Sequence, residues 1–170
     1  MNPIARNPMQ RRLITLLVVV MVLALSTSVA FAGKVHFNKS NPPTFTANDD
    51  LTLTATGTVY GLGNGDVLIT LDAQGTANLL CTNPGGSSKV PGQNPNFSAS
   101  GSGSFPASEI KNGHLDFTVT TNPPQSPVPG APDCPNSGWT ETITSITWTS
   151  ATINVYQFGE LQLSQTFSIP

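Results

Sequence analysis

The chain carries two histidines, nine carboxylates, two cysteines and four large amphipathic aromatics, Tyr60, Trp139, Trp148 and Tyr156. A hydrolytic triad would need His36 or His114 beside a serine and a carboxylate. No Gly-x-Ser-x-Gly elbow is present. The alternating stretch Ser100 to Ser104 keeps phase with Phe97, Ala99 and Phe105, which reads as a strand. Glycoside cleavage would need two carboxylates at a fixed separation. Glu141 and Glu160 lie on predicted strands and are the least implausible pair, although solvated strand faces account for both. Asp49, Asp50 and Asp66 sit in Asn- and Gly-containing segments that could offer oxygens to calcium. The same residue types are what turns require, and neither segment matches a defined calcium loop. No other cofactor is implied.

The aromatics make a stronger case for binding. Tyr60, Trp139, Trp148 and Tyr156 could present faces to sugar rings, with Thr and Asn hydroxyls and amides beside them. Either tryptophan could equally be core, because Trp is highly buried on average. Tyr60 falls on the polar phase of its strand and is the better surface candidate. Asn38-Lys39-Ser40 and Asn96-Phe97-Ser98 also fit the glycan-acceptor pattern, which matters only in a host that glycosylates.

What precedes these residues sets their compartment. Arg6, Arg11 and Arg12 lead into an apolar run from Leu13 to Leu25, and Ala30-Phe31-Ala32 offers a small-x-small cleavage site. That order is the secretory signal pattern. The run is about 13 residues, short of the roughly 20 a membrane-spanning helix needs. The expectation is therefore a cleaved leader over 1–32 and one domain over 33–170 with no membrane span, secreted or held at the cell surface. A retained N-terminal anchor is the alternative. Removing the leader removes all three arginines and leaves four lysines against nine carboxylates, a formal charge of −5. Such a chain lacks the cationic footprint that nucleic acid requires. In an oxidising compartment Cys81 and Cys134 are expected to pair; two free thiols or a redox site are the alternatives.

The elements that must position these groups read as strands. The exported part is rich in Thr, Ser, Asn, Gly and Pro, a composition that opposes helices. Leu51, Leu53, Ala55, Gly57 and Val59 alternate with Thr52, Thr54, Thr56, Thr58 and Tyr60. After Gly61 to Gly65 comes a second run with Val67, Ile69 and Leu71, and the two together read as a hairpin. Further runs carry Ala77–Cys81, Phe97–Gly101, Leu115–Val119, Trp139–Thr149 and Leu161–Ile169, and Val35 and Phe37 add a short one. A phase slip at Ser150 predicts a β-bulge. Residues 108–113 read as a short helical turn. The whole predicts an all-β, antiparallel two-sheet β-sandwich of about eight or nine strands, of immunoglobulin/fibronectin or jelly-roll type. A tryptophan packed on the disulfide would favour the former. Two long segments, 82–96 and the proline-rich 121–138, would be held at one end by a Cys81–Cys134 bond. Their length fits either a binding role or simple protection from proteases.

Several stretches resemble a group of small secreted bacterial β-sandwich proteins of uncharacterised function. They are Gly61-Leu62-Gly63-Asn64 with Asp66-Val67, Cys81 to Gly86, Pro91 to Pro95, Pro106 to Gly113, Cys134-Pro135-Asn136 with Trp139, and Ser150 to Ile153. These are turn and strand signatures, so the resemblance implies compartment and fold and no activity. The leading functional expectation is a non-catalytic module that binds an extracellular glycan or a surface protein. A small polysaccharide hydrolase and a structural envelope or coat protein are the alternatives.

Overall fold

A computed structural model describes residues 33–170; the leader expected over 1–32 lies outside the described residues. Alternation carries through into nine strands and one 3-10 turn at Ala107–Glu109. The strands are β1 (His36–Phe37), β2 (Thr44–Ala47), β3 (Leu53–Tyr60), β4 (Val67–Thr82), β5 (Lys89–Pro91), β6 (Asn96–Phe105), β7 (His114–Thr120), β8 (Thr140–Gln157) and β9 (Glu160–Ser168). Among the described residues no helix is long and apolar enough to cross a membrane.

The fold is all-β, with two antiparallel sheets packed together. In the first sheet β3 is central, flanked by β7 on one side and by β1 and β2 on the other. In the second, β4 and β8 are central, β5 and β6 share the outer side of β4, and β9 borders β8. Leu53, Ala55, Val59, Leu115, Phe117 and Val119 from the first sheet join Val67, Ile69, Leu71, Ala151, Ile153 and Val155 from the second in one buried cluster. Each large aliphatic side chain buried there contributes about 1.5–3 kcal/mol. At one flank the Asn122 N–H, just past β7, donates to the Ser100 carbonyl of β6 at 2.8 Å. At the other, Phe167 of β9 packs on Phe37 and Phe45, with centroids 5.7 and 5.5 Å apart.

The phase slip at Ser150 has its expected cause. Gln74 pairs with Ser150 but Gly75 pairs with Trp148, so Thr149 is the extra residue of a bulge. A second bulge leaves out Thr144. Each bulged threonine donates its hydroxyl to a β4 carbonyl, Thr149 to Gln74 at 3.1 Å and Thr144 to Asn78 at 3.0 Å.

Several expectations need correction. The runs either side of Gly61–Gly65 are not a hairpin, since β3 and β4 belong to different sheets. The connection crosses between them and is clamped by the buried Gln157. That side chain accepts from the Gly63 N–H at 2.9 Å and donates to the carbonyls of Gly63 and Gly65 at 3.2 and 2.7 Å. Segment 82–96 is not a structureless loop, because β5 pairs Lys89–Pro91 with Leu80–Thr82 of β4. Trp148 is core, 5% exposed and edge-on to Phe97 at 5.9 Å, so it cannot serve a surface platform. The Cys81–Cys134 disulfide joins β4 to the 121–138 segment and does not bridge the sheets. The inter-sheet pin of the immunoglobulin pattern is therefore not this bond.

Candidate functional site

Register brings three rings into a row on the outer face of the first sheet. His36 of β1 lies opposite Tyr60 of β3, and Tyr60 lies opposite His114 of β7. Ring centroids are 5.8 Å apart for His36–Tyr60 and 5.9 Å for Tyr60–His114, with interplanar angles of 29° and 33°. This is the spacing that adjacent strands impose on directly opposed aromatic side chains.

Local chemistry fixes each member. Lys111 and His114 exchange backbone hydrogen bonds of 2.9 and 3.1 Å around Asn112-Gly113. Both central residues have positive φ, 53° and 76°, as a two-residue hairpin turn requires. That turn makes His114 the first residue of β7. Its neighbour Gly113 accepts at its carbonyl from the Leu62 N–H at 3.0 Å, tying the turn to the chain leaving Tyr60. On the other side Gly61, at φ +80°, lets Lys34 come close; a Cβ there would stand 2.7 Å from the Lys34 carbonyl oxygen. The same carbonyl accepts a 2.8 Å hydrogen bond from His36 Nδ1. A carbonyl can only accept, so the proton sits on Nδ1 and Nε2 is left as an acceptor in the neutral ring.

A hollow opens at each end of the row. One, of about 460 Å³, is lined by His36, Phe37, Asn38, Lys39 and Tyr60. The other, of about 340 Å³, is lined by Ser108, Glu109, Lys111, His114, Leu115 and Asp116. Lys39 makes the first cationic, while Glu109 and Asp116 outweigh Lys111 in the second. Next along the face, Thr58 donates its hydroxyl to Asp116. The hydroxyls of Thr54 and Thr120 lie 2.8 Å apart, and those of Thr56 and Thr118 3.5 Å. The outer face thus offers ring surface at one end and a lattice of hydroxyls beyond it. Groups of this kind suit hydrogen bonding to a polyhydroxylated ligand with apolar C–H faces.

The expected aromatics do not converge. Tyr60 is the centre of the row. Tyr156 is half-buried on the outer face of the second sheet, opposite Leu68 and Leu161. Trp139 is half-buried near the disulfide end, and Trp148 is inside. The calcium candidates are also dispersed. Asp50 accepts from the Thr52 N–H at 3.1 Å and its hydroxyl at 2.6 Å. These bonds, the hydroxyl first, hold its carboxyl below the ordinary 3.8. Asp66 accepts from the Ala107 N–H at 2.9 Å, and Asp49 is exposed. Among the described residues no three His, Cys, Asp or Glu side chains group as metal ligands would.

Glu141 and Glu160 are separated by nearly the length of β8. Glu160 pairs with Gln157, 16 residues along the strand from Glu141, or roughly 50 Å. Glu141 is not on a solvated face: it is 2% exposed, and its Oε2 accepts from the Asp133 N–H at 2.9 Å. The 121–138 segment is further fastened by Val128 N–H to the Glu141 carbonyl at 2.9 Å and by Ile143 N–H to Ser126 Oγ at 3.1 Å. This end is a fastened cover over Ala77, Leu79 and Ile143.

Fold and surface together define a two-sheet antiparallel β-sandwich with an aromatic row on one outer face. No family model matches the chain, and no curated protein does. Among solved structures it is similar to a calcium-binding double mutant of Bacteroides uniformis beta-glucuronidase 2, at 13% identity and a TM-score of 0.32. The likeness covers 79% of this chain and 14% of that one, so the chain spans only a small part of that enzyme's length. At this TM-score the likeness carries no weight for activity.

Proposed function

We propose that the protein is an exported, non-catalytic β-sandwich that binds an extracellular glycan through the His36–Tyr60–His114 row. The observation that carries this reading is the row itself, three cross-strand rings with a hollow at either end. The rings supply apolar surface for sugar C–H groups. Asn38, Lys39, Glu109 and Asp116 supply polar contacts within reach of both ends, which is how small sites combine apolar area with a few orienting groups. Retention of the purified protein on insoluble cell-wall polysaccharides, with and without calcium, tests the reading. Binding that Tyr60→Ala abolishes supports it, and no retention on any glycan removes it.

A polysaccharide hydrolase remains the second reading on one observation: Glu109 and Asp116 line the same hollow as His114. Both are exposed, whereas glycoside cleavage uses one acid held in an apolar setting. Release of reducing ends that Asp116→Asn abolishes would favour the enzyme over the binding module.

A further inference from the structure

Among the described residues the second sheet ends on an open strand. The Ile169 N–H donates to the Thr149 carbonyl at 2.9 Å, and the β8–β9 register places Phe167, Gln165 and Leu163 opposite Ala151, Ile153 and Val155. In an antiparallel ladder, hydrogen-bonded and non-hydrogen-bonded pairs alternate. Leu163, Gln165 and Phe167 therefore direct their backbone groups to β8, while Ser164, Thr166 and Ser168 direct their N–H and C=O groups away from the sheet. The other borders are shorter than β9 or meet the facing sheet. β1 and β2 are two and four residues long, β5 has three and ends in Pro91, and β6 meets the chain leaving β7. Proteins blunt long edges with Pro, Lys or bulges. Past the bulge that leaves out Gln162, from Leu163 to Ile169, this strand has no bulge, no proline and no charged residue.

We infer that the β9 edge pairs with the β9 edge of a second copy of this chain, antiparallel about a two-fold axis through Thr166. In that register Ser164 faces the partner's Ser168, and Thr166 faces its own counterpart. The three outward residues of each copy then exchange every free N–H and C=O. The inner-face neighbours are Leu163 with Ile169 and Gln165 with Phe167. No charge opposes a charge, which matters for a domain whose formal charge is −5 once residues 1–32 are set aside. The product is one continuous sheet through β4–β8–β9 and its symmetry mate, a closed isologous dimer.

Sedimentation equilibrium of the protein expressed from its full chain tests this. A dimer is expected, weakened at least about tenfold by Thr166→Lys or Thr166→Glu alone, because like charges then meet on the axis. Mixing the two variants restores it. Ser164→Lys with Ser168→Glu keeps the dimer, and Ser164→Lys with Ser168→Lys loses it. Near-UV circular dichroism verifies that each variant is folded, and the Ser164/Ser168 pair carries the test if the Thr166 variants are not. A monomer up to about 100 µM, or a dimer indifferent to these charges, overturns the inference.

Discussion

Removing the disulfide is the perturbation whose size can be worked out most fully. Cys81 is wholly buried on β4, and its partner Cys134 lies 53 residues along the chain. Closing a loop of that length removes unfolded-state entropy equivalent to about 4 kcal/mol at 25 °C. The described residues, 33–170, number 138. Unfolding such a domain carries an entropy of about 290 cal/mol/K, so 4 kcal/mol translates into about 14 °C in Tm. The double variant Cys81→Ala with Cys134→Ala should melt lower by that amount in scanning calorimetry, as should the native protein under reductant. The loss should not abolish folding, because the main cluster around Ile69, Leu71 and Ile153 does not depend on the bond. Hydrogen exchange should quicken first in 121–138, where Asp133 N–H to Glu141, Val128 N–H to Glu141 and Ile143 N–H to Ser126 are among the remaining fastenings. A Tm change below about 4 °C would contradict the reasoning. So would loosening centred on β3 and β7.

Further outcomes follow from packing and charge. Trp148→Ala should cost about 3–5 kcal/mol in denaturant unfolding, as for a core aromatic, whereas Trp139→Ala should cost much less. Gly75→Ala places a Cβ 2.4 Å from the Thr147 carbonyl oxygen at the bulge. It should destabilise by about 1–3 kcal/mol, while Gly63→Ala, whose nearest neighbour is 3.4 Å away, should be far milder. The Asp50 carboxyl is held below its ordinary 3.8 by Thr52, so its contribution is present above that pH and is lost as pH falls through the folded value. The difference in melting temperature between the native protein and Asp50→Asn should therefore shrink on acidification from pH 6 and vanish once the carboxyl is protonated.

The strands were legible because burial in a half-exposed sheet writes itself as alternation. Leu53, Ala55 and Val59 point in while Thr54, Thr56 and Thr58 point out, and the slip at Ser150 forecast the Thr149 bulge. Pairing was not legible. Gly61 to Gly65 has the composition of a hairpin turn, and only the clamp from Gln157, more than ninety residues later, makes it a crossover between sheets. Glu141 looked solvated because a carboxylate seldom goes inside; its partner, the Asp133 N–H, is supplied by an irregular segment with no periodicity to read. For the site, Tyr60 was visible from its phase, and Asn112-Gly113 marked His114 as a strand start. Nothing in the spacing of 36, 60 and 114 announces that three strands align them.

The central claim is that the His36–Tyr60–His114 row binds sugar. The most direct measurement is the retention of native protein and Tyr60→Ala on the same insoluble polysaccharide, read as bound fraction against protein concentration. The account predicts saturable binding by the native protein and at least about tenfold weaker binding by the variant, the loss expected for an aromatic anchor. The variant's melting temperature should fall by no more than about 7 °C, because the two cross-strand ring pairs are worth about 0.2–1 kcal/mol each. Equal retention of the two proteins would contradict it.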